Sequence, residues 1–417
     1  MARVFIAGGA HSKYIGKFHS DFIWKKHPDF GKKENPDLEW YLRESAVDAL
    51  ASVAATAAAV DKAFVGNFAG ELFGKQGHLG AMLAAADPDL AGKPIWRVEG
   101  ACASGGLAIA AAVDAIRAGS DVVLVVGAEV QNTENAKVGA DYLARAAHYK
   151  RQRDIDPFTF PALFGIRAKA MVEQTEATMD DFARASAKAY SNANKNPLAH
   201  MTSYQMSFEM AALASDKNPV FLSNEAIKPY LRVSDCSQVS DGASAVVLCS
   251  EKGLERIGRE LTQCSEIIAS QVATASLTAD PDPLCLENTI TAAQRAYKEA
   301  GLSAYDVQVA EVHDCFTPNE VLMYEALGFA PAGQGALMLR EGQTSLDGPL
   351  PVNTGGGLVG FGHPVGATGV KQVLEIYRQM KGQCGEYQLA KTPGIGLCAN
   401  MGGDDRTTAI HLVRDLT

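Results

Sequence analysis

Short apolar runs bounded by glycine, proline or polar residues recur along the chain and predict buried strands. They read RVFIAG at 3–8, KAFVGN at 62–67, KPIWRVEG at 93–100, SDVVLVVGAEV at 120–130 and GASAVVLCS at 242–250. Between them, ESAVDALASVAATAAAV at 44–60 and ACASGGLAIAAAVDAIRAG at 101–119 space their apolar residues as helices do. The stretch from KPIWRVEG to SDVVLVVGAEV is strand, helix, strand. A crossover unit whose strands are apolar throughout belongs in a parallel sheet covered on both faces.

The second half repeats that order. SEIIASQVA at 265–273 answers the opening strand, ENTITAAQRAYKEAGL at 287–302 is an amphipathic helix, and VQVAEVHDCF at 307–316 is a strand running into a loop. GHPVGATGVKQVLEIYRQM at 362–380 answers the small-residue turn and helix that begin at 101. GIGLCANMGG and TTAIHLVR supply the last strands. The pattern predicts a duplicated α/β chain, resting on the order of elements because residue identity between the halves is slight. Residues 1–129 and 233–265 form the first half, 266–417 form the second, and the irregular, polar stretch 130–232 reads as an inserted loop or lid domain. Near the N-terminus, HSDFIWKKHPDFGKKENPD at 19–37 reads as a solvated loop.

Composition narrows the function classes. A chain of 417 residues, 47% hydrophobic, can bury a substantial interior. Its 38 Lys+Arg against 48 Asp+Glu give a formal charge of −10, which argues against nucleic-acid binding, since phosphate backbones need a basic face. No secretory leader and no apolar run of membrane-spanning length is evident. The eight cysteines are scattered without a CxxC pair, which suits reduced thiols in the cytoplasm better than a zinc site or disulfide frame. No metal ligand set is expected.

Three junctions carry chemistry-bearing residues. Cys102 lies between a strand and a helix opened by Ser104, Gly105 and Gly106. Unpaired N–H groups at a helix start favour a thiolate, the nucleophilic form of cysteine, and predict a depressed pKa. A packing cysteine is the competing reading. His363 stands at the equivalent junction of the second half, within GFGHPVGATGV at 360–370. If the halves pack about a pseudo-twofold axis, His363 can sit beside Cys102 as its base; a plain helix-capping loop is the alternative. HDCF at 313–316 ends a strand on the same carboxyl side of the sheet, where open α/β folds place ligands. There His313 can donate to an oxyanion, Cys315 can shuttle a proton and Asp314 can orient a neighbour.

In that order, CASGG, VSDCSQVSDGASAVVL, HDCFTPNEVLMYEALG and GGGLVGFGHPVGATG resemble the thiolase family, and more closely the thiolases of the sterol-carrier-protein type. The resemblance covers nearly the whole chain, and no carrier domain follows. It implies two βαβαβαββ halves in five layers with an inserted loop domain. It also implies an acyl-CoA C-acyltransferase that cleaves 3-ketoacyl-CoA with CoA, or runs the reverse condensation, through an acyl-cysteine. By resemblance Cys102 is the nucleophile, His363 its base and His313 an oxyanion donor. Cys315 is the first choice for acid/base at the acetyl carbon. Cys398, in CANMGGDD, is the second, about one residue out of register with the family's CxG loop. CoA and acyl-CoA enter as substrates, with no cofactor, and the loop domain holds CoA. Homodimers or homotetramers and a small OB-fold/zinc-ribbon partner are implied too. A carbon–carbon lyase on another substrate and a non-catalytic acyl-CoA channelling subunit are the alternatives.

Overall fold

The computed structural model describes residues 2–417. Nine strands, β1 (Phe5–His11), β2 (Lys62–Gly66), β3 (Ile95–Val98), β4 (Val122–Glu129), β5 (Gly242–Cys249), β6 (Ser265–Thr274), β7 (Val309–Glu311), β8 (Ile395–Gly402) and β9 (Thr407–Asp415), run in the order β3-β2-β4-β5-β1-β6-β9-β8-β7. The two halves of this order meet where Phe5 pairs with Glu266 and Ile6 with Ser265, and where Ile267 N–H donates to Val4 O (2.9 Å). Reading outward from that seam, both halves follow one plan: β5 and β9 pair antiparallel to the seam strands, then β4 and β8 pair antiparallel to those. Parallel strands β2 and β7 come next.

The repeat is complete in the first half and reduced in the second. Where β3 lies parallel to β2, the second half has only Val352 bridging Ala310. Pro351 has no N–H to extend a ladder, and Asn353 turns away with φ +57°, so the third strand stops at one residue.

Helices sort onto three levels. The Leu38–Ser52 helix covers one face of β1, β4 and β5, and the Glu287–Ala300 helix covers β6 and β9. Between the half-sheets lie the Ser104–Arg117 and Thr368–Met380 helices, packed on each other and on strands of both halves. This is the α-β-α-β-α layering. In β4, Val122, Leu124 and Val126 face the outer helix while Val123 and Val125 face the central pair. Two buried faces explain why the strand reads as one apolar run.

Two elements depart from the sequence reading. The first helix starts at Leu38, where Asp37 accepts the Trp40 N–H (2.8 Å), and ends at Ser52. The alanine-rich tail breaks at Ala54, whose φ is +52°. Between β4 and β5 the chain is less irregular than its polarity suggests, with helices at Thr159–Gln174 and Met179–Ala193. The second buries Phe182, Ala185, Ala189 and Tyr190 on one side, with a capping box of Thr178 and Asp181 at its start.

The central pair meet through glycine. A Cβ on Gly105 would lie 2.8 Å from Gly369 N, and one on Gly369 would lie 2.0 Å from Gly106 N. The first turns of the two helices therefore touch backbone to backbone, which no larger residue permits. Behind them Lys371 Nζ donates to Glu311 Oε2 (2.6 Å), both side chains 1% exposed. Removing one partner strands a buried charge, so Lys371→Met is expected to destabilise the fold by about 3–5 kcal/mol, read as a lowered denaturant midpoint.

Candidate active site

Cys102 sits in the tight connection from β3 to the first central helix. Ala101 adopts φ +53°, a left-handed conformation costly for a residue with a Cβ. Its N–H donates to Glu99 Oε1 (2.6 Å) and its carbonyl accepts from Ser104 Oγ (2.6 Å). Gly100 N–H closes the turn by donating to Ser104 Oγ (3.0 Å). These bonds hold the strained turn and present Cys102 at the floor of a cavity of about 820 Å³, which Cys315 and His363 also line.

The duplicated halves bring the two histidines to the cysteine. Cys102 Sγ and a ring nitrogen from each of His313 and His363 all lie within 4.8 Å of one another. The two rings meet edge to face, centroids 5.2 Å apart at 84°. His363 follows Gly362, whose φ of +119° suits glycine alone. Its Nδ1 lies 2.6 Å from Thr368 Oγ1, and Thr368 donates to Pro364 O (3.3 Å). With that donation made, Thr368 Oγ1 accepts from Nδ1–H, leaving His363 Nε2 as a free proton acceptor.

The tautomer of His313 follows from Asn400, on β8. Gly106 N–H can only donate, so the Asn400 atom 2.9 Å away is its oxygen. The amide nitrogen then donates to Cys102 O (3.0 Å) and faces His313 Nδ1 (3.3 Å). Nδ1 is therefore the acceptor, and Nε2 carries the proton. That N–H is buried and has no partner among the described residues. A buried donor left free costs stability unless a ligand takes it. One side chain thus ties the nucleophile loop, the central helix and His313 together.

Electrostatics correct one expectation. Burial pushes the Cys102 thiol up to about 12, against the opposing pull of the Gly403 N–H, and the Glu129 carboxylate adds to the rise. Desolvation outweighs the helix start, and the thiol is not depressed. Burial also lowers His363 to about 3, and drives His313 well down, helped by His363. The resting pair is a neutral thiol and a neutral imidazole. Alkylation of Cys102 by iodoacetamide is accordingly expected to climb through pH 7–10, about tenfold per unit. A plateau near pH 8 would indicate a preformed thiolate.

The remaining candidates separate. Cys315 lines the cavity, its thiol raised well above the ordinary value by burial and then by Cys102 and Asp314. Asp314 accepts from Leu358 N–H (2.7 Å) and pins the HDCF loop to the glycine turn before His363. Cys398 is not brought to the cavity. It packs among Val370, Val373 and Leu374 in the core between the half-sheets. Asn400, two residues further along β8, occupies the place beside Cys102. The 19–37 stretch is a loop with Lys25, Lys26, Lys32 and Lys33 exposed, as its polarity predicts, but Phe22 and Trp24 turn inward. Phe22 is buried, and Trp24, Lys25 and Phe30 line the cavity. Asn400 carried no sequence signal, because it acquires its partners only through the fold, whereas Thr368 lies in the glycine turn itself, within five residues of both its partners.

Comparison with known proteins places the chain in a family. Residues 37–252 match the family described as Thiolase, N-terminal domain, and residues 269–414 match Thiolase C-terminal domain-like. The chain belongs to the thiolase family. It is 33% identical to an acetyl-CoA acetyltransferase of Methanothermobacter thermautotrophicus over 89% of this chain and 93% of the relative. It is 30% identical to sterol carrier protein 2 of Rattus norvegicus, over 86% of this chain and 65% of that protein. A solved structure described as an Ltp2-ChsH2(DUF35) aldolase superposes with a TM-score of 0.76 at 19% identity, over 99% of this chain and 98% of that one. Among the described residues no helix is long and apolar enough to cross a membrane.

Proposed function

We propose that this protein is an acyl-CoA C-acyltransferase working through an acyl group on Cys102, either in cleavage of 3-ketoacyl-CoA by CoA or in the reverse condensation. The observation that carries the reading is the cluster of Cys102, His313 and His363, in which His313 Nε2–H has no partner among the described residues and His363 Nε2 is left as an acceptor. In cleavage, Cys102 Sγ attacks the ketone carbon while His363 Nε2 takes the thiol proton. The carbon–carbon bond breaks, and the departing acetyl-CoA enolate takes a proton from Cys315, whose burial keeps it a thiol. His313 Nε2–H serves the oxygen of the departing thioester as its negative charge grows. The backbone N–H groups of Cys102 and Gly403 lie against the sulfur and can serve the oxygen of the acyl-enzyme. CoA–SH then gives its proton to Cys315 and attacks the acyl-cysteine; the carbon–sulfur bond to Cys102 breaks, His363 returns its proton to the Cys102 sulfur, and acyl-CoA leaves.

Asn400 is the positioning residue in this scheme. Asn400→Asp keeps the shape but loses the donor to His313 Nδ1, so Nε2 no longer holds its proton. Turnover is expected to fall about 10²–10³-fold. Adding the change to His313→Ala is expected to cost little more, as for residues acting through one group.

A half-reaction tests the reading. A ping-pong acyltransferase exchanges labelled CoA into unlabelled acyl-CoA without a second acyl substrate. Exchange supports the transferase reading; turnover of a carbon–carbon bond without exchange supports a lyase, and neither supports a channelling subunit. Since the aldolase neighbour is named as an assembly with a DUF35 component, an accessory subunit and a homo-oligomer belong to the same proposal, with copurification and light scattering as the checks.

A further inference from the structure

Residues 17–35, between β1 and the Leu38–Ser52 helix, form a pinned roof over the cavity. His200 Nε2–H donates to Lys17 O (2.8 Å). The Asn35 side chain closes the loop on both backbone groups of Ile23, accepting from its N–H (2.8 Å) and donating to its carbonyl (3.0 Å). Phe22 is buried beneath, while Phe30 stays 55% exposed at the edge.

The cavity has two kinds of wall. Asn132, Asn135 and Gln238 make one wall polar, a lining suited to the amides of a pantetheine arm, although their own side chains also bond within the protein. Phe22, Trp24 and Phe30 from the roof, with Phe68, Phe158 and Phe160, gather aromatic rings among the aliphatic lining, in a protein whose aromatic content is only 7%. A volume of about 820 Å³ far exceeds what an acetyl or acetoacetyl group fills beside that arm. Aromatic rings gain specifically from edge and offset contact with other rings, beyond their area.

Resting on the acyl-transfer reading, we infer that residues 17–35 are the acyl-specificity element, and that the preferred thioester carries an aromatic ring on its acyl chain. The test compares acylation of Cys102 by acetyl-CoA, hexanoyl-CoA and phenylpropanoyl-CoA in the intact protein. The expected kcat/KM for the phenylpropanoyl group exceeds the hexanoyl value about tenfold and the acetyl value by more. Trp24→Ala and Phe30→Ala are each expected to lower the phenylpropanoyl-to-acetyl ratio about tenfold. Phe30, half out of the protein, keeps the test clear of a folding defect. A hexanoyl value equal to or above the phenylpropanoyl one overturns the inference. So does an equal loss for all three thioesters, which would place the roof on the CoA portion they share. Acylation by none of the three overturns the transferase reading itself, and this inference with it.

Discussion

Cys102→Ala is expected to lower acyl transfer by at least about 10⁴-fold and to abolish any covalent acyl intermediate, with folding unchanged. The size of the effect follows from chemistry. Without a sulfur at the cavity floor no thioester or ketone carbon meets a nucleophile, and the donors around it have no tetrahedral oxygen to stabilise. Folding is spared because the turn at Ala101 is held by Glu99, Ser104 and Asn400, bonds that reach backbone atoms and not the thiol. Stopped-flow release of CoA and a thermal melt of the variant check the two halves of this expectation.

The second large effect falls on the base. His363→Ala is expected to slow acylation about 10²–10⁴-fold. With the thiol raised to about 12 and the imidazole lowered to about 3, proton transfer between them in the empty site lies far toward the neutral pair. The proton must therefore move as the sulfur attacks, which requires His363 Nε2 to be in place and neutral. Sign matters here: a base lowered to about 3 is in its competent, neutral form at every pH well above that value. Acylation is therefore not expected to fall off between pH 8 and pH 6, as it would for a histidine of ordinary pKa. Thr368→Val, which removes the hydroxyl at Nδ1, is expected to lie between the wild-type and alanine rates. A pH profile of single-turnover acylation separates these cases.

Much of the architecture is written locally. The apolar runs of β4 and β5 and the glycine-opened helices at 104 and 368 are contiguous patterns, and their repetition already implies the meeting of Cys102 with His363. The contact of Gly105 with Gly369 gives that repetition its physical basis, since two helix starts can share one space only without side chains. What stayed illegible depends on distant register. Asn400 matters because β8 sets it against Gly106 and Cys102, 294 and 298 residues away in sequence. Cys398, the reactive residue type on the same strand, drew attention that its core position does not justify. The depressed Cys102 pKa failed for a related reason: a helix start is visible in sequence, whereas the desolvation that overrides it is a property of the assembled core. The lysine-rich 19–37 stretch read as solvated because its charges outnumber its aromatics, yet the fold turns Phe22 and Trp24 inward.

Acyl transfer by this route requires a covalent acyl group on the Cys102 sulfur. Rapid-quench mass spectrometry of the protein mixed with a 3-ketoacyl-CoA, followed by peptide mapping, addresses it most directly. The expected result is an acyl adduct on the peptide bearing Cys102, formed within one turnover and discharged by added CoA. Turnover with Cys102 unmodified throughout, or an adduct that forms only on another cysteine, would contradict it.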